Sequence, residues 1–347
     1  MDTISFVAID AHVHFRQDDM LKPFVPLTAM HVARALVMPN TDPPKRIAAQ
    51  VSAYEQEILD AAGPNSGFEP LMTFYIMPDT TPAMVQEFRK AANYIPIAIA
   101  GKVYPKGLTT NAELGVVDYP ALFPVFEKME ELGLILCLHG EKPGDEIEGL
   151  DREKAFLRIL KYIVSTFPGL KVVMEHITTE AAVETILGMS PNVRATITAH
   201  HLIITYDDAG GDRLSVYNWC KPVAKMRKDR EALVEAATFG NPKFMFGSDS
   251  APHMQEKKRR HDCCAGVYAP PGVALPRLAQ LFEERGALDR LPNFAGGFAL
   301  PFYEILNYLQ APLKEVTLVK EPMIVPDDYH GVIPFLAGKE ISWSIKS

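Results

Sequence analysis

The stretch FVAIDAHVH at residues 6–14 carries the reading of the fold. Its apolar residues read as a strand, and its polar ones, Asp10, His12 and His14, crowd toward the C-terminal end. Side chains alternate along a strand, so His12 and His14 share one face while Val13 turns to the other. Two imidazoles facing an interior must be hydrogen-bonded or bound to a metal, because a buried polar ring without a partner is costly. Both readings stand from this stretch alone.

Outward from it the same form recurs. ARALVMPN at 33–40 ends on Asn40, PLMTFYIM spans 70–77, and PIAIAGKVY at 96–104 ends with Lys102 and Tyr104. LILCLHG at 134–140 carries His139, KVVMEHI at 171–177 His176, VRATITAHH at 193–201 His201, and KFMFGSD at 243–249 Asp249. Between these runs apolar residues repeat at helical intervals over 47–62, 82–92, 121–132, 152–166, 179–188 and 230–238. Alternating strands and helices predict a parallel sheet covered by helices. Eight strands favour closure into a (β/α)8 barrel of the TIM type over leaving edges open, with an open doubly wound sheet as the alternative. The polar punctuation favours the barrel, because C-terminal strand ends then ring one mouth and residues scattered from His12 to Asp249 converge. The expectation is a single domain over 1–347, with barrel and active-site loops over about 6–305 and a C-terminal tail over 306–347 packed on the barrel.

The chain has 347 residues, 48% of them hydrophobic, enough for a large core. Its 43 acidic against 35 basic residues leave a net charge of -8, which argues against broad nucleic-acid binding. The basic run KKRR at 257–260 reads as a solvated loop or active-site rim. Cys137, Cys220, Cys263 and Cys264 fit neither a zinc knuckle nor a disulfide framework, which points to a reducing cytoplasm. With neither a signal-peptide pattern nor an apolar run of about 20 residues, no membrane partner is expected.

The polar ring suggests metal chemistry. His12, His14, His139 and His176 offer nitrogen ligands, and Asp249 offers a carboxylate that can both bind metal and exchange a proton with bound water. Lys102 is unusual there, since an ammonium beside divalent cations is electrostatically unfavourable. Reaction with carbon dioxide would turn it into an anionic carbamate able to bridge two metals; an ordinary surface lysine is the plain alternative. The donor set suits zinc without excluding iron, cobalt or manganese. Two bridged metals lower the pKa of a shared water towards about 7 and polarise a carbonyl, so hydrolysis is the economical reaction. Arg16, Asn40 and His253 border the same mouth and can hold an anion, and YPKGLTTNAELGV at 104–116, with Thr109 and Thr110, can close as a lid or stand as an immobile polar loop.

These residues resemble the class II dihydroorotases of the amidohydrolase superfamily. The resemblance lies in DAHVHFRQDDML, ALVMPNTDPP, GKVYPKGLTTN, LHGE, MEHITTEAA, ATITAHHL, GSDSAPH, CCAG and FLAGKEISWSI, almost end to end. HVH occurs across related amidohydrolases, whereas MPN, the Thr-Thr loop and GSDSAPH together are more specific. The resemblance implies a zinc-dependent barrel that reversibly hydrolyses (S)-dihydroorotate to N-carbamoyl-L-aspartate in de novo pyrimidine synthesis. It implies two zinc ions per subunit, bridged by N6-carboxylated Lys102 and hydroxide: His12, His14 and Asp249 on the more buried ion, His139 and His176 on the other. It makes Arg16, Asn40 and His253 a substrate-carboxylate clamp, Thr109 and Thr110 part of a mobile loop, Ala265 a backbone contact, Asp249 the proton shuttle, and the protein a homodimer. Two departures stand out: CKP at 220–222 where some members have CLP, and AHH at 199–201 where some have PQH, which leaves His200 without a role. A hydantoinase would share the metal chemistry without needing the clamp, and a non-catalytic barrel would not need the metal set.

Overall fold

The computed structural model describes residues 2–89, 96–212, 214–308 and 312–346. Its central sheet takes the strands in chain order: β2 (Ile9–Val13), β3 (Arg34–Val37), β4 (Glu69–Ile76), β5 (Ala100–Val103), β6 (Ile135–His139), β7 (Val172–Glu175), β8 (Val193–Ile197) and β9 (Phe244–Phe246), after a short β1 (Thr3–Phe6) outside it. All neighbouring pairs from β2 to β9 are parallel. The ring closes through a Val13–Ser250 bridge, where Asp249 N donates to His12 O at 2.9 Å and His14 N to Ser250 O at 3.1 Å. The protein is thus a (β/α)8 barrel, as the alternation predicts.

Inward and outward faces separate cleanly. Ile135 and Cys137 of β6 join the core inside the barrel, Leu136 and Leu138 the core between barrel and helices, and the next inward position is His139. On β2 a bulge between Asp10 and Val13 shifts the register against β3. It lets His12 continue the inner face above Ala11, while Val13 packs outward. Gly247, just after β9, has no room for a side chain: a Cβ there would meet His12 Cβ at 2.9 Å and Thr196 Cβ at 3.0 Å.

Differences from the sequence reading are local. The first stretch splits, because Thr3–Phe6 leaves the barrel to pair with β10 (Val316–Val319), which in turn pairs with β13 (Ser344–Ile345). Between these lies the two-stranded ribbon of β11 (Met323–Ile324) and β12 (Glu340–Ile341). Trp343 of this C-terminal region is fully buried, and its Nε1 donates to Glu283 Oε2 at 3.1 Å. A helix not foreseen, Leu21–Ala29, makes the first crossover despite Pro23 and Pro26. The helix expected over 82–92 is observed as Pro82–Glu87, capped by Thr81 Oγ1, and its expected last residues, 90–92, lie outside the described residues. In the basic run, Lys258 is buried rather than solvated, its ammonium donating to the carbonyls of Trp219, Cys264 and Gly266.

Candidate active site

His12 and His14 meet Asp249 at the barrel mouth. His14 Nε2 lies 3.1 Å and His12 Nε2 3.4 Å from Asp249 Oδ1, and the three donor atoms fall within 4.8 Å of one another. The rings of His12 and His176 are 5.0 Å apart, those of His176 and His139 4.7 Å. Lys102 is wholly buried in the same layer, its Nζ 5.1 Å from the Tyr104 ring and without a hydrogen-bond partner. His12 Nε2 and His176 Nδ1 are likewise buried and unpaired. Buried polar atoms are almost always satisfied, so unpaired donors and lone pairs gathered in one place mark a site shaped for something else to bind.

The electrostatics agree with that reading. Burial pushes His14 down to about 4 and lowers His139 and His176, so at neutral pH these rings are uncharged and keep a lone pair for a metal. Burial lowers Lys102 too, against the pull of Glu175. Burial alone would raise the Asp249 carboxyl, but the His14 bond and the nearby His176 and His12 outweigh it and hold it well below the usual carboxylate range. Asp249 and His176 both sit in the left-handed backbone region, at φ 45° and 42°, as does Arg16 at φ 62°. For residues with a Cβ such conformations cost of order 1–3 kcal/mol each, and they cluster at functional sites.

A second layer aims these groups. His12 Nδ1 donates to Glu175 Oε2 at 2.8 Å, which also accepts from Thr196 Oγ1 at 2.7 Å, leaving Nε2 of His12 for the cavity. His139 Nε2 donates to Glu141 Oε2 at 2.7 Å, leaving Nδ1 as the free nitrogen. The turn that carries His176 is pinned from below by buried Glu153, whose carboxylate accepts from the backbone and hydroxyl of both Thr178 and Thr179. Thr179 then caps the helix Glu180–Leu187 through Ala182 N.

Beside the metal-type donors lies a small open cavity bordered by Arg16, Asn40, Thr109, Thr110, Asp249 and Ala265. Arg16 Nη2 donates to His253 Nε2 at 2.8 Å and Nε to Pro252 O at 3.0 Å, so the guanidinium is anchored at the wall. The 104–116 loop folds over this side: Asn40 Nδ2 donates to Thr110 O at 3.2 Å, and Asn111 Nδ2 to Asn40 O at 2.9 Å. Thr109 Oγ1 is buried without a partner. Of the residues that the sequence reading assigned to the site, His14, Arg16, Asn40, Thr109, Thr110, His139, His176, Asp249 and Ala265 line this cavity, His12 and Lys102 lie buried beside them, and His253 reaches it through Arg16.

The dihydroorotase of Shewanella sediminis is 42% identical to this chain over 344 residues, 97% of both. The chain belongs to the dihydroorotases. They are cyclic amide hydrolases of the amidohydrolase superfamily. No family model matches. Dihydroorotase from Saccharomyces cerevisiae, solved with 5-fluoroorotic acid, superposes with a TM-score of 0.92 at 38% identity over 100% of this chain and 99% of that one. The L-hydantoinase of Arthrobacter aurescens shares the fold, with a TM-score of 0.81 at 17% identity over 98% of this chain and 82% of its own.

Sequence reasoning about this dihydroorotase missed its supporting acids, Glu141, Glu153 and Glu175. Glu141 was within reach: it follows His139 by two residues in LHGE. Glu175 had only its place beside His176 to signal it, and Glu153 opens the helix Arg152–Thr166 like any first-turn acid.

Proposed function

We propose that this dihydroorotase opens (S)-dihydroorotate by reversible hydrolysis to N-carbamoyl-L-aspartate in pyrimidine synthesis, using two zinc ions. The observation that carries the metal part is the set of buried, unpaired atoms: His12 Nε2, His176 Nδ1 and Lys102 Nζ around Asp249. Imidazole nitrogens and carboxylate oxygens are zinc donors, so the residues fit the group. His12, His14 and Asp249 would hold the more buried ion, and His139 and His176 the other. Burial disfavours the Lys102 ammonium, and the neutral amine would attack carbon dioxide and lose a proton to solvent, giving a carbamate that would bridge the pair. When bound, the zinc pair supplies water activation at neutral pH and polarises the ring carbonyl.

The chain's own residues do the rest. Asp249 accepts a proton from the attacking water and delivers it to the departing ring nitrogen. Arg16, Asn40 and His253 orient the substrate through its carboxylate, with the Ala265 backbone as a further contact, and Thr109 and Thr110 complete the enclosure and exclude water. Ring opening creates a carboxylate and releases a proton, so alkaline conditions favour hydrolysis and acidic ones cyclisation. The anion-binding clamp favours dihydroorotate over a neutral hydantoin. Four free cysteines suit a reducing cytoplasm, and among the described residues no helix is long and apolar enough to cross a membrane. Assembly as a homodimer belongs to the same proposal and is tested by sedimentation.

The decisive experiment pairs two variants. Lys102→Ala should lose metal and activity together. Arg16→Ala should keep its metal and lose at least about 30-fold in kcat/KM for dihydroorotate, the lower end of truncating a buried charge contact, while an analogue with a neutral amide in place of the carboxylate is little affected. A metal-replete, active Lys102→Ala protein rejects the bridge, and an Arg16→Ala protein that still prefers the acid rejects the clamp.

A further inference from the structure

Past the end of β8 the chain turns through residues 198–201 and buries two adjacent imidazoles that the proposed reaction does not use. His200 is 0% exposed, and neither of its ring nitrogens has a hydrogen-bond partner. Its surroundings are apolar on one side, with the Phe335 ring 6.2 Å away, and on the other it faces the His201 ring at 4.4 Å. An imidazole carries one donor and one acceptor, and leaving both unsatisfied in the interior calls for a bound group.

The neighbours name the group. Cys220 Sγ lies 3.4 Å from His201 Nε2, and one donor atom each from His200, His201 and Cys220 falls within a common 4.8 Å. The carbonyl of Pro222 points at the same place, 3.0 Å from His201 Nε2 and 3.3 Å from Cys220 Sγ. Nitrogen and sulfur ligands on one zinc ion, at about 2.0 and 2.3 Å and a tetrahedral angle, stand about 3.5 Å apart, close to the spacing found. His201 also has the supporting contact that a metal-binding histidine requires, since its Nδ1 lies 3.0 Å from Thr198 Oγ1.

We infer that His200, His201 and Cys220, with the Pro222 carbonyl, form a further site for a thiophilic divalent ion of the zinc class. It shares no donor with the proposed catalytic pair. Binding forms the metal–sulfur bond and releases the Cys220 proton to solvent; the His201 proton moves from Nε2 to Nδ1, where Thr198 Oγ1 accepts it. Burial alone keeps the Cys220 thiol protonated, pushed up to about 12, so a thiolate there depends on the cation itself. His200 enters by a small rotation of its ring, which ends its isolation. A glutamine, which stands at this position in the PQH form, supplies no imidazole, so the site is a property of this chain's AHH.

The test uses the intact chain dialysed against Zn2+ or Co2+ alone, comparing wild type with His200→Gln, Cys220→Ala and a Cys263→Ser/Cys264→Ser double variant. Wild type and the double variant should hold one metal equivalent more than His200→Gln and Cys220→Ala. The cobalt form should show a thiolate-to-metal charge-transfer band in the near ultraviolet that Cys220→Ala abolishes and the double variant keeps. Loading of the catalytic pair is common to all four proteins, so only the difference reads this site. Equal equivalents in wild type and His200→Gln, or a band that survives Cys220→Ala, overturn the proposal. Should Cys220→Ala fail to fold, the His200→Gln stoichiometry decides alone.

Discussion

Asp249 is held by two constraints at once. Its backbone is in the left-handed region, at φ 45°, and its carboxylate is kept ionised by three histidines. An ionised acid can accept a proton at the moment of attack, and its fixed orientation spares reorganisation. Asp249→Asn removes the proton acceptor while preserving shape. The expected result is an unchanged far-ultraviolet circular dichroism spectrum with a loss of about 10²- to 10⁴-fold in both reaction directions, measured on protein of determined metal content. Near-normal rates would assign the shuttle elsewhere. At this scale, His12, His14, His139, His176 and Asp249 were legible because each stands near the end of a strand-like run. Glu175 was not, because its partner His12 is 163 residues away in the chain and no local pattern joins them.

At the scale of elements, the 104–116 loop folds over one side of the site. Its two ends are tied by a Pro105–Val116 bridge and by Val116 N donating to Tyr104 O at 2.8 Å, while the tip rests on Asn40. Thr109 Oγ1 is buried and unpaired, a hydroxyl with unused hydrogen-bonding capacity. Hydrogen bonds to a charged group contribute about 1.5–3 kcal/mol each. Thr109→Val/Thr110→Val should therefore bind metal normally and lose on the order of 10²-fold or more in kcat/KM for dihydroorotate. Wild-type turnover in that variant would make the loop a passive wall. The loop's polar composition was readable in the chain, but its docking on Asn40 depends on β3 and β5 exposing their ends on one side of the barrel. The helix Leu21–Ala29 was hidden for the opposite reason: Pro26 within it argues locally for a break, and packing overrides it by burying Leu21, Phe24 and Val25.

For the whole molecule, closure between β2 and β9 and pairing of β1 with β10 bring the two ends of the chain onto one body. Residues 306–347 should then unfold with the barrel. Burial pushes His31 and His200 down to about 4, and His176, His201 and His253 lie well below their ordinary value. In the unfolded chain histidines titrate near 6.5. Between that value and about 4 the unfolded state binds more protons than the folded one, so stability falls as the pH falls and is insensitive to these groups above about 7. Denaturant titration of the metal-free protein should show its midpoint dropping from about pH 6.5 downwards. One transition should be seen by both far-ultraviolet dichroism and tryptophan fluorescence, to which buried Trp343 contributes. A midpoint independent of pH, or a separate early transition for the tail, would contradict this.

The barrel, and the strand ends from which its metal ligands would come, were determined by the sequence alone, because side-chain alternation and helical spacing are local properties that survive in one dimension. Tertiary structure decided which atoms of those residues face the cavity. The bulge in β2 set His12 above Ala11, Glu175 and Glu141 chose the free nitrogen of each histidine, and the turn after β8 brought His200 and His201 against Cys220. Each of these is a pairing between groups distant in the chain or a choice of side-chain direction, and both are set by packing in three dimensions.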